Sequence, residues 1–315
     1  MMAQPRPHLP LDVHALEARL TFRCFNTDVQ VQAADWRWSN LLPAVEAFFH
    51  RFEARFSRFR PDSELSRFNR RDVDSVQVSE AMLDILAECV RLYGLTRGVF
   101  NPLILERLES AGYDASFERL GEGAPAGMVE AAPAPDLGAL VLDWGRREAR
   151  LPAGLRLDLG GIGKGFAVDV AASMLAQAGD FLVDAGGDIY AGGSAPGGGP
   201  WRIEVADPLA PEGCIEVVEL SDAAIASSWT TRRRWPTRHG FAHHLIDPRT
   251  GLPAGSGVAG ATVLAPLATD ADVFAKCAVI LGADEGAVFL ESVGACGLFV
   301  LDDGRIRKTR NWPSI

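Results

Sequence analysis

The stretch LDLGGIGKGFAVD, residues 157–169, constrains this chain more than any other. Four glycines occur between positions 160 and 165, with Lys164 among them. The segment RLDL, 156–159, reads as a strand leading into the glycines. Phe166, Val168, Ala171, Ala172 and Leu175 then recur at helical spacing. The pattern predicts a strand, a glycine turn and a helix start. Glycine lets another group approach the backbone with no Cβ in the way. The amides and dipole of a helix start favour an anion, and Lys164 adds a full positive charge. The spacing is neither GxxxxGK[ST] nor GxGxxG. Two uses remain open for the glycines: an anionic ligand, or close packing alone.

The rest of the chain predicts strands in runs, with helices between them. RLTFRCFNTDVQVQA, 19–33, alternates as a strand. Leu41, Leu42, Val45, Phe48, Phe49, Phe52 and Phe56 mark a helix whose aromatic stripe reads as core rather than as a flavin platform. FSRFRPDSELSRFN, 56–69, is a polar turn with Asp62 or Ser63 as helix cap. A second amphipathic helix spans 79–96, and GVFNPLI, 98–104, breaks it. Residues 121–137 read as an exposed loop, and 1–15 as disordered. FLVDAGGDIYAGG, 181–193, is strand, tight turn, strand. Further strands are expected at 201–208, 215–220, 223–227 and 261–266, then a helix at 269–282. A closing hairpin turns at Asp303-Gly304. Such a pattern is α+β, not a regular βαβ alternation.

Composition excludes several classes. The net charge of −10 over 315 residues argues against a general nucleic-acid binder. Any anionic ligand therefore needs a local positive site. Five cysteines are scattered with no CxxC pair, which argues against a structural zinc site and for free thiols in the cytoplasm. No apolar run reaches the roughly 18 residues that span a bilayer. No signal-peptide core precedes the body of the chain, and no apolar run precedes Cys24, so export and lipidation are not expected.

Other stretches carry chemistry ambiguously. AGGD, 185–188, is a second glycine turn beside an acid, or a hairpin with a solvent-facing aspartate. HLIDPRTG, 244–251, places an imidazole, a carboxylate and a guanidinium near one turn. Asp272 and Lys276 stand four apart on a helix, the spacing of a modest surface ion pair. Arg232, Arg233 and Arg234 read as a solvated loop.

Taken in order, FNTDVQV, FSRFRPDSELSRFN, GVFNPLI, DLGGIGKGFAVD, FLVDAGGDIYAGG, WRIEVADP, ASSWTTRRRW, HHLIDPRTGLPA and DADVFAKCAVILG resemble the ApbE family of FAD:protein FMN transferases. The likeness runs from about residue 20 to about residue 285. It implies one α+β unit over residues 16–315, with two intertwined α/β sub-lobes, largely antiparallel mixed sheets and FAD between the lobes. It also implies transfer of FMN from FAD to a threonine or serine hydroxyl of a flavoprotein, with AMP leaving and magnesium neutralising the diphosphate. By motif, Asp158 and Lys164 would contact FAD. Phe25 and Phe59 would touch the flavin or adenine side. Val99, Phe100 and Asn101 match the nucleotide turn, and His244 and Ile246 the flavin pocket. The Gly161 carbonyl and Asp272 would hold the metal. Asp272, His244 and Asp247 are candidates to orient or deprotonate the acceptor hydroxyl.

The sequence departs from the family pattern at five positions. Lys276 stands where the family carries a metal-binding threonine or serine, and a protonated amine has no lone pair to donate. Trp229 replaces a glycine, Asn101 an aspartate, and Phe25-Asn26 a Met-Gly pair. Three outcomes follow: Lys276 replaces the metal and transfer survives; the chain binds FAD without transferring it; or Trp229 closes the pocket and the chain is an interaction protein.

Overall fold

The computed structural model describes residues 17–113, 131–210, 212–237 and 240–313. The expected disorder of residues 1–15 and the loop at 121–130 lie outside the described residues.

The chain opens with the hairpin β1 (Ala18–Cys24) and β2 (Thr27–Ala33). Next come α1 (Leu42–Phe56), α2 (Glu64–Asn69), β3 (Ser75–Gln77), α3 (Glu80–Leu95), α4 (Leu105–Ser110), β4 (Val141–Asp143) and β5 (Glu148–Arg150). The second half carries α5 (Gly163–Leu175), β6 (Phe181–Ala185), β7 (Ile189–Gly192), β8 (Trp201–Ala206), β9 (Cys214–Leu220) and β10 (Ala223–Trp229). Two small hairpins follow: β11 (Arg234–Thr237) with β12 (Gly240–His243), and β13 (Ile246–Asp247) with β14 (Leu252–Pro253). The chain ends in β15 (Val258–Ala265), α6 (Ala268–Ser292), β16 (Cys296–Leu301) and β17 (Ile306–Lys308).

Eight strands form one sheet in the order β1-β2-β6-β7-β10-β15-β16-β17. Every neighbouring pair in it is antiparallel, in keeping with an α+β fold. Side chains alternate between its faces, as the pleat requires. Phe181, Val183 and Ala185 of β6 enter the main core, and Leu182 between them enters a second cluster. Ala224 and Ala226 of β10 flank Ile225 in the same way. The main core joins the sheet to α1, α5 and α6, and the second joins its other face to the β8–β9 hairpin through Trp201, Val205, Val218 and Leu220. With both faces covered, all eight residues of β15 are buried.

The periodic helices form as read. Ser63 is the cap of α2, its hydroxyl accepting from the Ser66 amide at 3.0 Å. Ser79 caps α3 in the same manner. Gly282, at φ 84° and ψ 170°, breaks α6 where the helix was expected to end.

Two expected strands are corrected. Residues 19–33 form a hairpin, turning at Phe25 and Asn26, both at positive φ (53° and 58°). Alternation runs straight through the turn because two residues preserve the period of two. RLDL, 156–159, joins no strand ladder. The side-chain amide of Asn69 brackets Leu157 instead, accepting from its N–H and donating to its carbonyl, each at 2.8 Å. The Asp158 amide donates to the Pro102 carbonyl at 2.8 Å. The segment is extended and apolar like a strand, but its backbone partners are a side chain and a loop.

Candidate active site

The start of α5, α1, the turn at 99–102, the segment 244–248 and α6 enclose a cavity of about 630 Å³. That lies within the usual 300–1,000 Å³ of a small-molecule site. Phe25, Phe59, Val99, Phe100, Asn101, Asp158, Gly161, Lys164, His244, Ile246 and Lys276 all line it. The sequence scatters these residues over about 250 positions, and the fold brings them to one cavity.

The glycines serve both uses left open above. A Cβ on Gly165 would fall 2.5 Å from the Ala268 carbonyl oxygen, so this glycine lets α5 meet the start of α6. At Gly161 a Cβ would meet only ordinary contacts, Phe100 at 3.5 Å and Lys276 at 3.8 Å, and the backbone there faces the cavity. Ile162, the N-cap of α5, offers no capping side chain; the Gly163 amide turns back to the Leu159 carbonyl at 2.8 Å and the Gly165 amide faces the Asp272 carboxylate at 3.4 Å. The first turn of that helix presents its positive dipole end beside Lys164.

Below that turn lie two buried ion pairs, Lys164 with Asp188 and Lys276 with Asp272. The AGGD aspartate is thus not solvent-facing. Asp188 is buried, and its carboxyl is pushed up to about 6 by burial and by the charge of Asp272, against the pull of Lys164 and Lys276. Burial works against the charge on Lys164, but Asp188 and Asp272 outweigh it and raise its pKa. The Asp272–Lys276 pair is likewise not a surface pair: Asp272 is buried and Lys276 forms part of the cavity wall.

A divalent cation does not fit this arrangement. One Asp272 oxygen is taken by the Lys276 ammonium, and the other faces the Gly165 amide at 3.4 Å. The Lys276 Nζ also donates to the Asp272 carbonyl at 3.2 Å. A unit charge about 4 Å from an incoming divalent cation opposes it by roughly 8 kcal/mol at an effective dielectric near 20.

The opposite wall is aromatic and cationic. Arg58 lies over both the Phe59 and Tyr113 rings, its Cζ 4.1 Å and 4.7 Å from their centroids. Its Nε binds the Asp158 carboxylate at 2.8 Å, and Asp158 also accepts the Gly160 amide at 2.8 Å. Asp158 therefore holds the glycine turn and Arg58 in place. Arg58 and Tyr113 were not singled out in the sequence, although Arg58 sits inside the FSRFRPDSEL stretch. Asn101 accepts from the Leu103 amide at 2.9 Å and donates to the Pro135 carbonyl at 2.8 Å. An aspartate could not make the second bond, which explains the amide at this position.

His244 completes the site. Its Nδ1 is buried with no hydrogen-bond partner among the described residues. Burial, then the charges of Arg233 and Lys276, hold its pKa well below the usual imidazole value, so the ring is neutral at pH 7. Asp247 does not join it. Its carboxylate is taken by the Arg249 amide and guanidinium at 2.9 Å, closing its own turn outside the cavity wall. The arginine run is not simply a solvated loop. Arg233 reaches the cavity, while Arg232 stacks on Trp229 and Arg234 on Phe241, at 4.0 Å and 4.1 Å. Trp229 does not close the pocket. It ends β10 opposite Gly260, where a Cβ would lie 2.8 Å from its ring, and it is absent from the cavity wall. The closed-pocket alternative is thereby overturned.

The chain is similar to characterised proteins over most of its length. It is 30% identical to a FAD:protein FMN transferase of Haemophilus influenzae over 276 residues, 84% of this chain and 80% of that one. A Vibrio cholerae protein of the same name is 30% identical over 268 residues, covering 82% and 79%. Among solved structures, the ApbE protein of Thermotoga maritima superposes with a TM-score of 0.84 at 26% identity, over 94% of this chain and 98% of that one. The flavin transferase ApbE from Vibrio cholerae does so at 0.75 and 26%, with the same coverage. The ApbE family profile matches residues 25–299. With that match added to a cavity built from the family's own motifs, this chain belongs to the ApbE family.

Proposed function

We infer that this chain is a FAD:protein FMN transferase that works without a divalent cation. FAD is its substrate, and the acceptor is a threonine or serine hydroxyl of a flavoprotein. The observation that carries the reading is the cavity itself. An aromatic and arginine wall suited to stacked rings faces the glycine-rich start of α5, with two lysines suited to a diphosphate.

In this reading the diphosphate lies against Gly160–Gly163, with Lys164 and Lys276, each held by a buried aspartate, as fixed donors and Arg233 on the cavity wall as further positive charge. Phosphoryl transfer depends chiefly on such charge and on in-line placement. The acceptor oxygen forms a bond to the flavin-side phosphorus, and the bridging P–O bond breaks. AMP leaves with the electron pair, its negative charge offset by the lysines. The hydroxyl proton passes to the neutral His244, whose Nδ1 has no other partner. The family's magnesium would sit at Asp272 and the Gly161 carbonyl. Here Lys276 supplies the positive charge instead, and no step uses a metal. The acceptor is met in the cytoplasm, a reading supported by free thiols at all five cysteines. Among the described residues no helix is long and apolar enough to cross a membrane.

The experiment is covalent flavin fluorescence on a co-incubated threonine-bearing flavoprotein domain, with FAD and excess EDTA. Transfer at an undiminished rate in EDTA, falling about 100-fold in Lys276→Met, is expected. Transfer that stops in EDTA would refute metal independence. The buried Asp272–Lys276 pair also suits a protein that holds FAD intact. Tight FAD binding with no labelled acceptor would select that second reading.

A further inference from the structure

The cysteine spacing argues against a zinc site, but the fold gathers one cysteine with two other ligand types. Cys24 ends β1, and His50 and Glu53 lie on α1. Residues three apart share a helix face, so His50 and Glu53 point the same way, and the end of β1 lays the thiol over them. A sulfur, an imidazole nitrogen and a carboxylate oxygen then lie within 4.8 Å of one another. None of the three takes part in the ion pairs beneath the α5 turn.

The chemistry of the set is specific. Thiolate, imidazole and carboxylate are the three side-chain ligands of zinc, with bonds of about 2.0–2.3 Å that set ligands roughly 3.5 Å apart. Glu53 is held in place by the Phe25 amide, which donates to its Oε1 at 2.8 Å, so rotation of the exposed His50 side chain closes the remaining gap. Cys24 is buried, and its Sγ faces the Phe49 carbonyl at 3.5 Å. Glu46, one turn before His50, stands 3.8 Å from its Nε2. A carboxylate near one ring nitrogen is the usual support for a histidine that ligates through the other. Magnesium and calcium, which prefer all-oxygen sets, are disfavoured.

We propose that Cys24, His50 and Glu53 bind one divalent cation of the zinc class, with a fourth position left for water. The site shares Glu53 with the cavity wall, yet it stands whether or not flavin is transferred.

Titration of the tag-free, reduced, full-length protein with cobalt(II) tests it. One equivalent should produce thiolate-to-cobalt charge transfer in the near ultraviolet and the visible bands of tetrahedral cobalt, both discharged by zinc. Cys24→Ser should abolish the charge-transfer band. His50→Ala should weaken affinity at least about tenfold. His50 is half-exposed on its helix, so this variant keeps the fold while removing a ligand. Cys214→Ser and Cys296→Ser should leave the spectrum unchanged. Absence of the charge-transfer band, its survival in Cys24→Ser, or an unaltered affinity in His50→Ala would each overturn the proposal.

Discussion

At the scale of single residues, the site is governed by which charges are already paired. Arg58 and Asp158 are both nearly buried and bind each other at 2.8 Å. Removing one partner of such a pair strands the other, at a cost of about 3–5 kcal/mol. Arg58→Met should lower the urea midpoint by that measure and weaken FAD binding. Arg58→Met, Asp158→Asn together should recover most of the stability, because no charge is left stranded. Asp188 gives a pH signature. Its folded pKa of about 6 exceeds the ordinary 3.8, so the native state binds the extra proton between those values. Its relative stabilisation is present below pH 3.8 and is lost as pH rises through about 6. Asp188→Asn should remove that component, seen as a flatter wild-type-minus-variant difference in unfolding midpoints above pH 6 than between 4 and 6. A difference independent of pH would mean that Asp188 does not titrate as described. The imidazole of His244 moves the other way. Its depressed pKa means stability is lost as pH falls below the ordinary 6.5, the value of the unfolded chain.

At the scale of elements, the glycine turn before α5 is where geometry and ligand chemistry meet. Gly165→Ala drives a Cβ into the backbone of Ala268 and should destabilise by about 1–3 kcal/mol, read by chemical denaturation. Gly161→Ala meets only ordinary contacts and should leave stability nearly unchanged while weakening FAD binding, read by calorimetry. Equal effects of the two would show that position 161 serves packing alone. Asn69 holds the segment leading into this turn. Asn69→Ala frees the buried amide and carbonyl of Leu157 and should cost about 1–3 kcal/mol. RLDL, read as a strand, is extended as a strand is, but its backbone partners are the Asn69 side chain and a loop carbonyl rather than a ladder. The single strand read over 19–33 failed at Phe25-Asn26, where neither residue is glycine and the left-handed conformation leaves no mark in the spacing. Asparagine is the side chain that tolerates it best after glycine.

At the scale of the whole molecule, the eight-stranded sheet acts as the support for everything on its α-helical face. Burying an aromatic or aliphatic side chain there is worth about 1.5–3 kcal/mol. Phe49 of α1, fully buried and in edge contact with Phe22 of β1, is among the largest such side chains of the described residues, and Phe49→Ala should cost about 3–5 kcal/mol in a single cooperative transition. Biphasic unfolding would show instead that α1 and the sheet separate as units.

What the amino-acid order determined by itself was local and periodic: the helix at 42–56 from its three-and-four spacing, a cap for α2 at Asp62 or Ser63, the hairpin around AGGD, and the motif series that marks the family. Those signals live within a few turns of chain, where propensity and side-chain period act directly. Tertiary structure alone decided that Asp188 and Asp272 are buried beside two lysines, that Arg233 turns inward, that Asp247 serves only its own turn, and that Trp229 packs away from the cavity. Each of these depends on the dielectric and the neighbours that a residue meets after distant segments come together. Spacing along the chain carries no record of either.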